Sequence, residues 1–334
     1  MIHLITGIAG QDGLILGHKL LNRSEKVIGL CKPTQTDYVK EILPECTVYG
    51  INDLGEKTTW ELLEKVKPNF VYNFLGFSSV QKSWLNQQIV FQTNYSFPLE
   101  ILNWIVDKSR DTKFIQASSS EIFGNSKNAP QDENTPHSPI TPYGFSKSLI
   151  HKKVDEYRVN FKIFACNAIF YNHESPLRSK EFVTRKISKS VASLIQHKIS
   201  RIELGNLEAK RDWGWAPDYM DALDNVIRFE SPENVIIATG KLTSVSELLS
   251  IAFDTVGIDN YYDYIDISSD QVRAIDPNLL VGNSQKINDL IDWKSKHTIK
   301  EIMEKLIEFD LKYIDDSGNF KIRKWLNENV KAYE

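Results

Sequence analysis

The 334-residue chain is poor in the features that mark secreted, membrane or metal-binding proteins. Its three cysteines, Cys31, Cys46 and Cys166, are odd in number and far apart. None has the close partner of a zinc or redox motif, so they read as packing residues in a reducing compartment, and no metal is expected. No apolar run reaches transmembrane length. Met1 leads straight into a strand-like pattern, without the charged, apolar and small-residue series of a signal peptide. These absences predict a soluble, cytoplasmic protein with no membrane partner. Charge of one sign is also missing. Forty Lys and Arg against forty-four Asp and Glu leave a net charge of −4, which gives no drive toward nucleic acid. A local basic pocket for a small anion is still compatible with that balance. There is no internal repeat and no low-complexity tract.

What is present is an ordinary globular composition, 41% hydrophobic and 25% charged, in a chain long enough for a large α/β unit or two lobes sharing a cleft. Short apolar runs at 2–6, 26–31, 47–51, 70–74 and 113–117 alternate with amphipathic stretches. The pattern predicts a doubly wound parallel sheet (Rossmann-type) with a smaller α+β substrate lobe. A helix is expected at 11–21, a long amphipathic stretch at 89–106, and a loop at 118–141. A helix at 142–159 and a strand at 162–170 follow. Beyond Tyr171 the alternation weakens. Helices are expected near 182–197, 217–229, 244–256 and 299–313, with a strand at 234–238 returning to the sheet. Residues 316–334 read as a polar, partly helical tail. The implied division is a nucleotide-binding domain at 1–170, to which 215–240 returns, and a second lobe at 171–214 and 241–334.

Thr6-Gly7-Ile8-Ala9-Gly10-Gln11-Asp12-Gly13 joins the first strand to the first helix. Gly7 and Gly10 permit a tight turn and close approach of a pyrophosphate, and Gly13 lets helix and strand pack closely. The helix N-terminus then offers free N–H groups to phosphate. After the second strand, where NAD enzymes place a carboxylate, the chain reads Leu30-Cys31-Lys32. A cation there suits a 2′-phosphate, so NADP is expected rather than NAD. Asp53, past the third strand, is a candidate acceptor for the adenine amino group. Gln11, Asp12 and Leu75, the last in the stretch after the fourth strand, complete the cofactor set.

Tyr143 and Lys147 stand four apart at the start of a predicted helix, a spacing that puts both in one cleft. An ammonium beside a phenol favours the phenolate and a useful base. Glu121, in Ser118-Ser119-Ser120-Glu121 at the mouth of the fifth strand, adds a carboxylate able to abstract a proton beside a ketone. Ser119 is a candidate for orienting substrate or sharing the proton.

These residues resemble the extended short-chain dehydrogenases and, within them, the GDP-mannose 4,6-dehydratases. The resemblance runs through nearly the whole chain. Its most diagnostic stretches are Asn172-His173-Glu174-Ser175-Pro176, Phe182-Val183-Thr184-Arg185-Lys186-Ile187 and the segment 204–214 ending in Arg211-Asp212-Trp213-Gly214. It implies dehydration of a GDP-hexose, GDP-mannose to GDP-4-keto-6-deoxymannose, by an internal hydride cycle on bound NADP. In that cycle Tyr143 is the base and Lys147 its partner, while Glu121 takes the carbon 5 proton and helps water leave carbon 6. The cofactor stays bound, so no net NADPH appears. The resemblance also places Ser83, Asn172, Val183 and Lys186 against the sugar nucleotide, with Arg211 and Arg273 near its diphosphate.

Three regions depart from the family. Asn73-Phe74-Leu75-Gly76-Phe77-Ser78-Ser79 replaces a stretch that usually reads Asn-Leu-Ala-Ala-Gln-Ser-His. The segment after Lys32 is short, and Leu177-Arg178 stands where two arginines are usual. The last two regions build cofactor-bridged tetramers in the family. The expected assembly is therefore a homodimer packed through 89–106 and 142–159. Phe77 and Ser79 leave room for a different GDP-hexose or GDP-heptose. The alternatives are an epimerase or reductase of a related GDP-sugar, or a non-catalytic NADP-binding protein.

Overall fold

The computed structural model describes residues 1–268, 279–314 and 319–331. Six strands, β1 (Ile2–Thr6), β2 (Lys26–Cys31), β3 (Thr47–Gly50), β4 (Phe70–Asn73), β5 (Lys113–Ser119) and β6 (Ala165–Phe170), join Val235–Ile237 in one sheet. From one edge the order is β3, β2, β1, β4, β5, β6 and Val235–Ile237, with every neighbouring pair parallel. Alternate residues point to opposite faces. Leu4, Val71 and Phe114 pack with one layer of helices, which includes Phe97–Lys108 and Pro142–Phe161. Ile5, Tyr72 and Ile115 pack with the other, which includes Gln11–Asn22 and Ala216–Val226. Both faces are covered, so the central strands are mostly apolar, with His3, Thr6, Asn73, Gln116 and Asn167 buried among them. Strand order reverses between β1 and β4, and the crevice beyond their carboxyl ends is where open α/β sheets bind ligands.

The remaining elements are smaller. Asn172–Glu174 pairs in parallel with Trp213–Trp215, Thr243–Ser244 pairs antiparallel with Lys210–Arg211, and Ile265–Ile267 pairs in parallel with Ile202–Leu204. Helices Val183–Ile195, Val245–Thr255 and Ile299–Lys312 pack around them. Arg185 and Asp310, both buried, join the first and last of these helices through a two-pronged ion pair.

Several boundaries differ from expectation for local reasons. β5 runs two residues further, because Ser118 and Ser119 still pair with Ile169 and Phe170 of β6. β6 begins only at Ala165, since Lys162 closes the preceding helix in the left-handed region at φ 58°. The stretch 89–106 is a helix Gln87–Phe91, a π-helical turn Gln92–Ser96 and a helix Phe97–Lys108. The polar tail contains a helix, Ile322–Asn329, whose Trp325 and Leu326 are buried in the main core. Amphipathic spacing over eight residues was too short to announce that burial. The three cysteines are free and buried, as expected of packing residues.

Candidate functional site

The site begins at the turn after β1. Gly7 sits at φ +72°, and a Cβ there would lie 2.8 Å from the Leu75 nitrogen. Only glycine lets the β1 and β4 loops approach this closely. A Cβ on Gly13 would lie 2.6 Å from the Ile8 Cα, so this position brings the helix against the turn. Gly10 caps Gln11–Asn22 without any side-chain hydrogen bond. The first-turn N–H groups therefore have no side-chain cap to satisfy them, and the cradle suits a pyrophosphate. Leu75 donates its N–H to Thr6 Oγ1 at 3.1 Å, which ties the two loops together. Lys32 is exposed directly after β2, and no acidic residue replaces it there. Asp53 is exposed past β3. It accepts from the Gly55 N–H at 2.9 Å and the Thr58 hydroxyl at 2.7 Å, bonds that hold its carboxyl below the usual range. These residues fit a dinucleotide cofactor.

The end of β5 leads from Ser119 into the Glu121 turn. Ser119 caps the turn Ser120–Ile122, its hydroxyl accepting from the Glu121 N–H at 3.3 Å. Glu121 is buried beneath the start of Pro142–Phe161. A Cβ on Gly144 would stand 2.5 Å from the Glu121 carbonyl oxygen, so this glycine sets how closely the Glu121 turn and the Tyr143 helix approach. Thr141 caps that helix by accepting from the Gly144 N–H at 3.0 Å. Tyr143 and Lys147 lie one turn apart on this helix, with the ammonium 6.0 Å from the ring centroid.

Their electrostatics differ from the expectation that the Lys147 ammonium lowers the Tyr143 phenol: the phenol is raised, and the groups that oppose the rise are Ser119 and Arg178. Burial pushes Tyr143 up to about 12, and the Glu121 and Asp12 carboxylates add to the shift. A hydrogen bond from Ser119 and the Arg178 guanidinium oppose it. Lys147 donates to the Ala117 carbonyl at 2.8 Å, so its ammonium is anchored to β5 rather than to the phenol oxygen. Burial brings Lys147 down to about 8, against the pull of Asp12.

A cleft of about 670 Å³ opens beside this centre, within the size range of small-molecule sites. Asn172, Val183, Lys186 and Arg211 all line it. Residues 78–82 form the opposite wall. Lys82, Arg178, Lys180, Lys186 and Arg211 outnumber Glu174 and Glu181 along its walls, an excess of positive charge that suits a diphosphate. Ser83 stops just short of the wall. Its buried hydroxyl donates to the Val80 carbonyl at 2.6 Å. Arg273 lies outside the described residues. Among the described residues no group of His, Cys, Asp and Glu is arranged to hold a metal, and no helix is long and apolar enough to cross a membrane.

Three contributors went unassigned in the sequence. Arg178 lines the cleft, stacks 3.8 Å over the Phe182 ring and lies close enough to Tyr143 to favour its phenolate. Asn94, presented by the π-helical turn, donates to Ser146 Oγ and to the Phe77 carbonyl and accepts from the Phe77 N–H, which fixes the β4 loop to the Tyr143 helix. His173 contacts Asp12 at 3.0 Å. For Asn94 the available signal was a polar residue amid an apolar stripe; His173 and Arg178 lay in stretches the family resemblance had already singled out.

The parallel sheet, the glycine turn and the paired Tyr143 and Lys147 define an extended short-chain dehydrogenase fold. The UDP-glucose 4-epimerase of Thermus thermophilus, solved with NAD, superposes with TM-score 0.83 at 16% identity, covering 94% of this chain and 100% of that one. RMD from Pseudomonas aeruginosa, solved with NADPH, superposes with TM-score 0.75 at 18% identity, covering 93% and 98%. At such identities these likenesses establish the fold alone. Sequence comparison goes further. Residues 4–306 match the family model described as GDP-mannose 4,6 dehydratase. The GDP-mannose 4,6 dehydratase of Drosophila melanogaster is 34% identical over 339 residues, covering 93% of this chain and 86% of its own. The chain belongs to the GDP-mannose 4,6 dehydratase family.

Proposed function

We propose that the protein is an NADP-dependent enzyme that dehydrates GDP-mannose to GDP-4-keto-6-deoxymannose. The observation that carries this reading is the meeting of Glu121 with Tyr143 beside a cation-rich cleft, in a chain of this family. Gly7, Gly10, Gln11, Asp12, Gly13, Leu75 and Asp53 would hold the dinucleotide, and Lys32 would face its 2′-phosphate. The chemistry NADP supplies when bound is reversible hydride uptake, which leaves the reaction redox-neutral. Tyr143 Oη takes the proton of the carbon 4 hydroxyl, with Ser119 and Lys147 orienting the centre. The Glu121 carboxylate then removes the carbon 5 proton and delivers it to the carbon 6 hydroxyl, which departs as water; the proton held on Tyr143 Oη returns to carbon 5 as the hydride is restored to carbon 6. Asn172, Val183, Lys186 and Arg211 position the sugar nucleotide.

In this reading residues 1–170 with 215–240 bind the cofactor, while 171–214 and 241–334 bind the GDP-sugar. A homodimer follows from the apolar side chains of Ile89, Phe91, Phe145, Val159 and Phe161, exposed along the two expected helical segments. Cytoplasmic residence accords with three free thiols.

The test is mass spectrometry of purified protein incubated with GDP-mannose and catalytic NADP. The expected product is one water lighter and carries a ketone, with no accumulation of NADPH. An unchanged mass despite tight GDP-sugar binding would replace this reading by epimerisation or reduction of a related sugar.

A further inference from the structure

His173 lies in the strand Asn172–Glu174, between two residues that line the sugar-nucleotide cleft. Its own side chain is buried and turned toward the cofactor turn. Nδ1 is 2.8 Å from the Tyr171 carbonyl oxygen, and Nε2 is 3.0 Å from Asp12 Oδ1. Neither partner has a proton to give. A carbonyl only accepts, and the same Asp12 oxygen already accepts from Gln11 Nε2 at 3.1 Å. Asp12 is also held below the usual carboxylate range, because burial, which would raise it, is outweighed by His173, Gln11 and Arg178 together. A neutral imidazole has one N–H and would leave one of these contacts as two facing acceptors. Hydrogen on both ring nitrogens would satisfy both contacts.

The surroundings fix the ring in place. The Tyr219 ring stacks on it at 4.9 Å and 24°, and Phe170 packs at 5.0 Å. Gly214, the register partner of His173, makes the stack possible, since a Cβ there would stand 2.4 Å from the Tyr219 ring. Gln11 adds a second clamp. It donates to the His173 carbonyl at 3.1 Å and accepts from the Ser175 hydroxyl at 2.8 Å. The charged and titratable groups around the Asp12–His173 pair are Arg178 from the following loop, Glu174 on the same strand, Tyr219, and Tyr143 and Lys147 across the turn.

We propose that His173 is held as an imidazolium and acts as a positioning residue that locks the cofactor turn to the substrate strand and cancels the charge of Asp12. Without it, the Asp12 carboxylate at the helix N-terminus would repel a pyrophosphate and oppose the Tyr143 phenolate. The catalytic part of this assignment rests on the function proposed above; the protonation state does not.

Nitrogen NMR of histidine-labelled wild-type protein, with the His173 ring assigned through its contact with Tyr219, decides the state directly. Two protonated ring nitrogens are expected at neutral pH, as the two facing acceptors require. A single protonated nitrogen near neutral pH would overturn the proposal whether or not the protein is a dehydratase. In kinetics, His173→Gln should move the rising limb of the kcat/KM pH profile upward by about one unit and weaken NADP binding roughly tenfold. Adding Asp12→Asn should bring the limb back. A packing defect alone would lower activity without moving the limb, and that result would also overturn the positioning role.

Discussion

The two ends of the site are built differently. On the sheet side, Gly7, Lys32, Leu75 and Ser119 each stand at or just beyond the carboxyl end of a strand of the seven-stranded parallel sheet. Their positions follow from register, as where Ser118 and Ser119 pair with Ile169 and Phe170. On the lobe side, Asn172 and Arg211 sit on strands of three and two residues, and Val183 and Lys186 sit on one helix. That side is held by helix packing and by the buried Arg185–Asp310 pair. The contrast teaches a division of labour. The candidate cofactor groups stand at strand ends of the large sheet, and the candidate sugar-nucleotide groups stand on short strands and one helix.

Substitutions on the two sides should separate kcat from KM. Glu121→Gln has the largest expected effect: kcat for water loss falls by about 10²–10⁴-fold, while GDP-sugar and NADP binding change little. Normal dehydration by this variant would remove Glu121 from the reaction. Arg211→Ala on the lobe side should instead raise KM for the GDP-sugar by about 10-fold or more, the scale of one charge-assisted hydrogen bond, with NADP affinity unchanged. A fall in kcat alone would contradict the proposed division.

A smaller effect is expected from pH. Lys147 is depressed from its ordinary value to about 8, so its ammonium is present below that pH and is lost above it. Activity that depends on this charge should decline as pH rises through about 8, and Lys147→Arg should move the decline upward. Smallest is the Lys82–Glu181 bridge across the cleft, 2.6 Å long with both side chains 57% exposed. Lys82→Met should change thermal stability by less than about 1 kcal/mol, because solvent screens such a pair. A larger loss would mean that the cleft walls support each other more than their exposure indicates.

Most of the sheet side was legible in the sequence. Apolar strand runs at helix-separated intervals, glycines at a strand–helix junction and a Tyr–Lys pair one helical turn apart are all local signals. β1 and β2 matched their expected spans to the residue. The lobe was legible mainly through family resemblance, since strands of two or three residues leave no usable periodicity. Ser83 illustrates the limit. Its place in the chain is as expected, but its hydroxyl turns back to the Val80 carbonyl, a choice made by local helix geometry.

The sequence by itself determined the parallel architecture, the glycine turn and the shared face of Tyr143 and Lys147, because each depends on residues close together along the chain. Tertiary structure alone decided the charge states. Glu121 reaches Tyr143 only once the helix has packed against β5, and Asp12 meets His173 across 161 residues of chain. Burial and long-range contacts set these energies, so spacing could propose the groups but could not give the field in which they work.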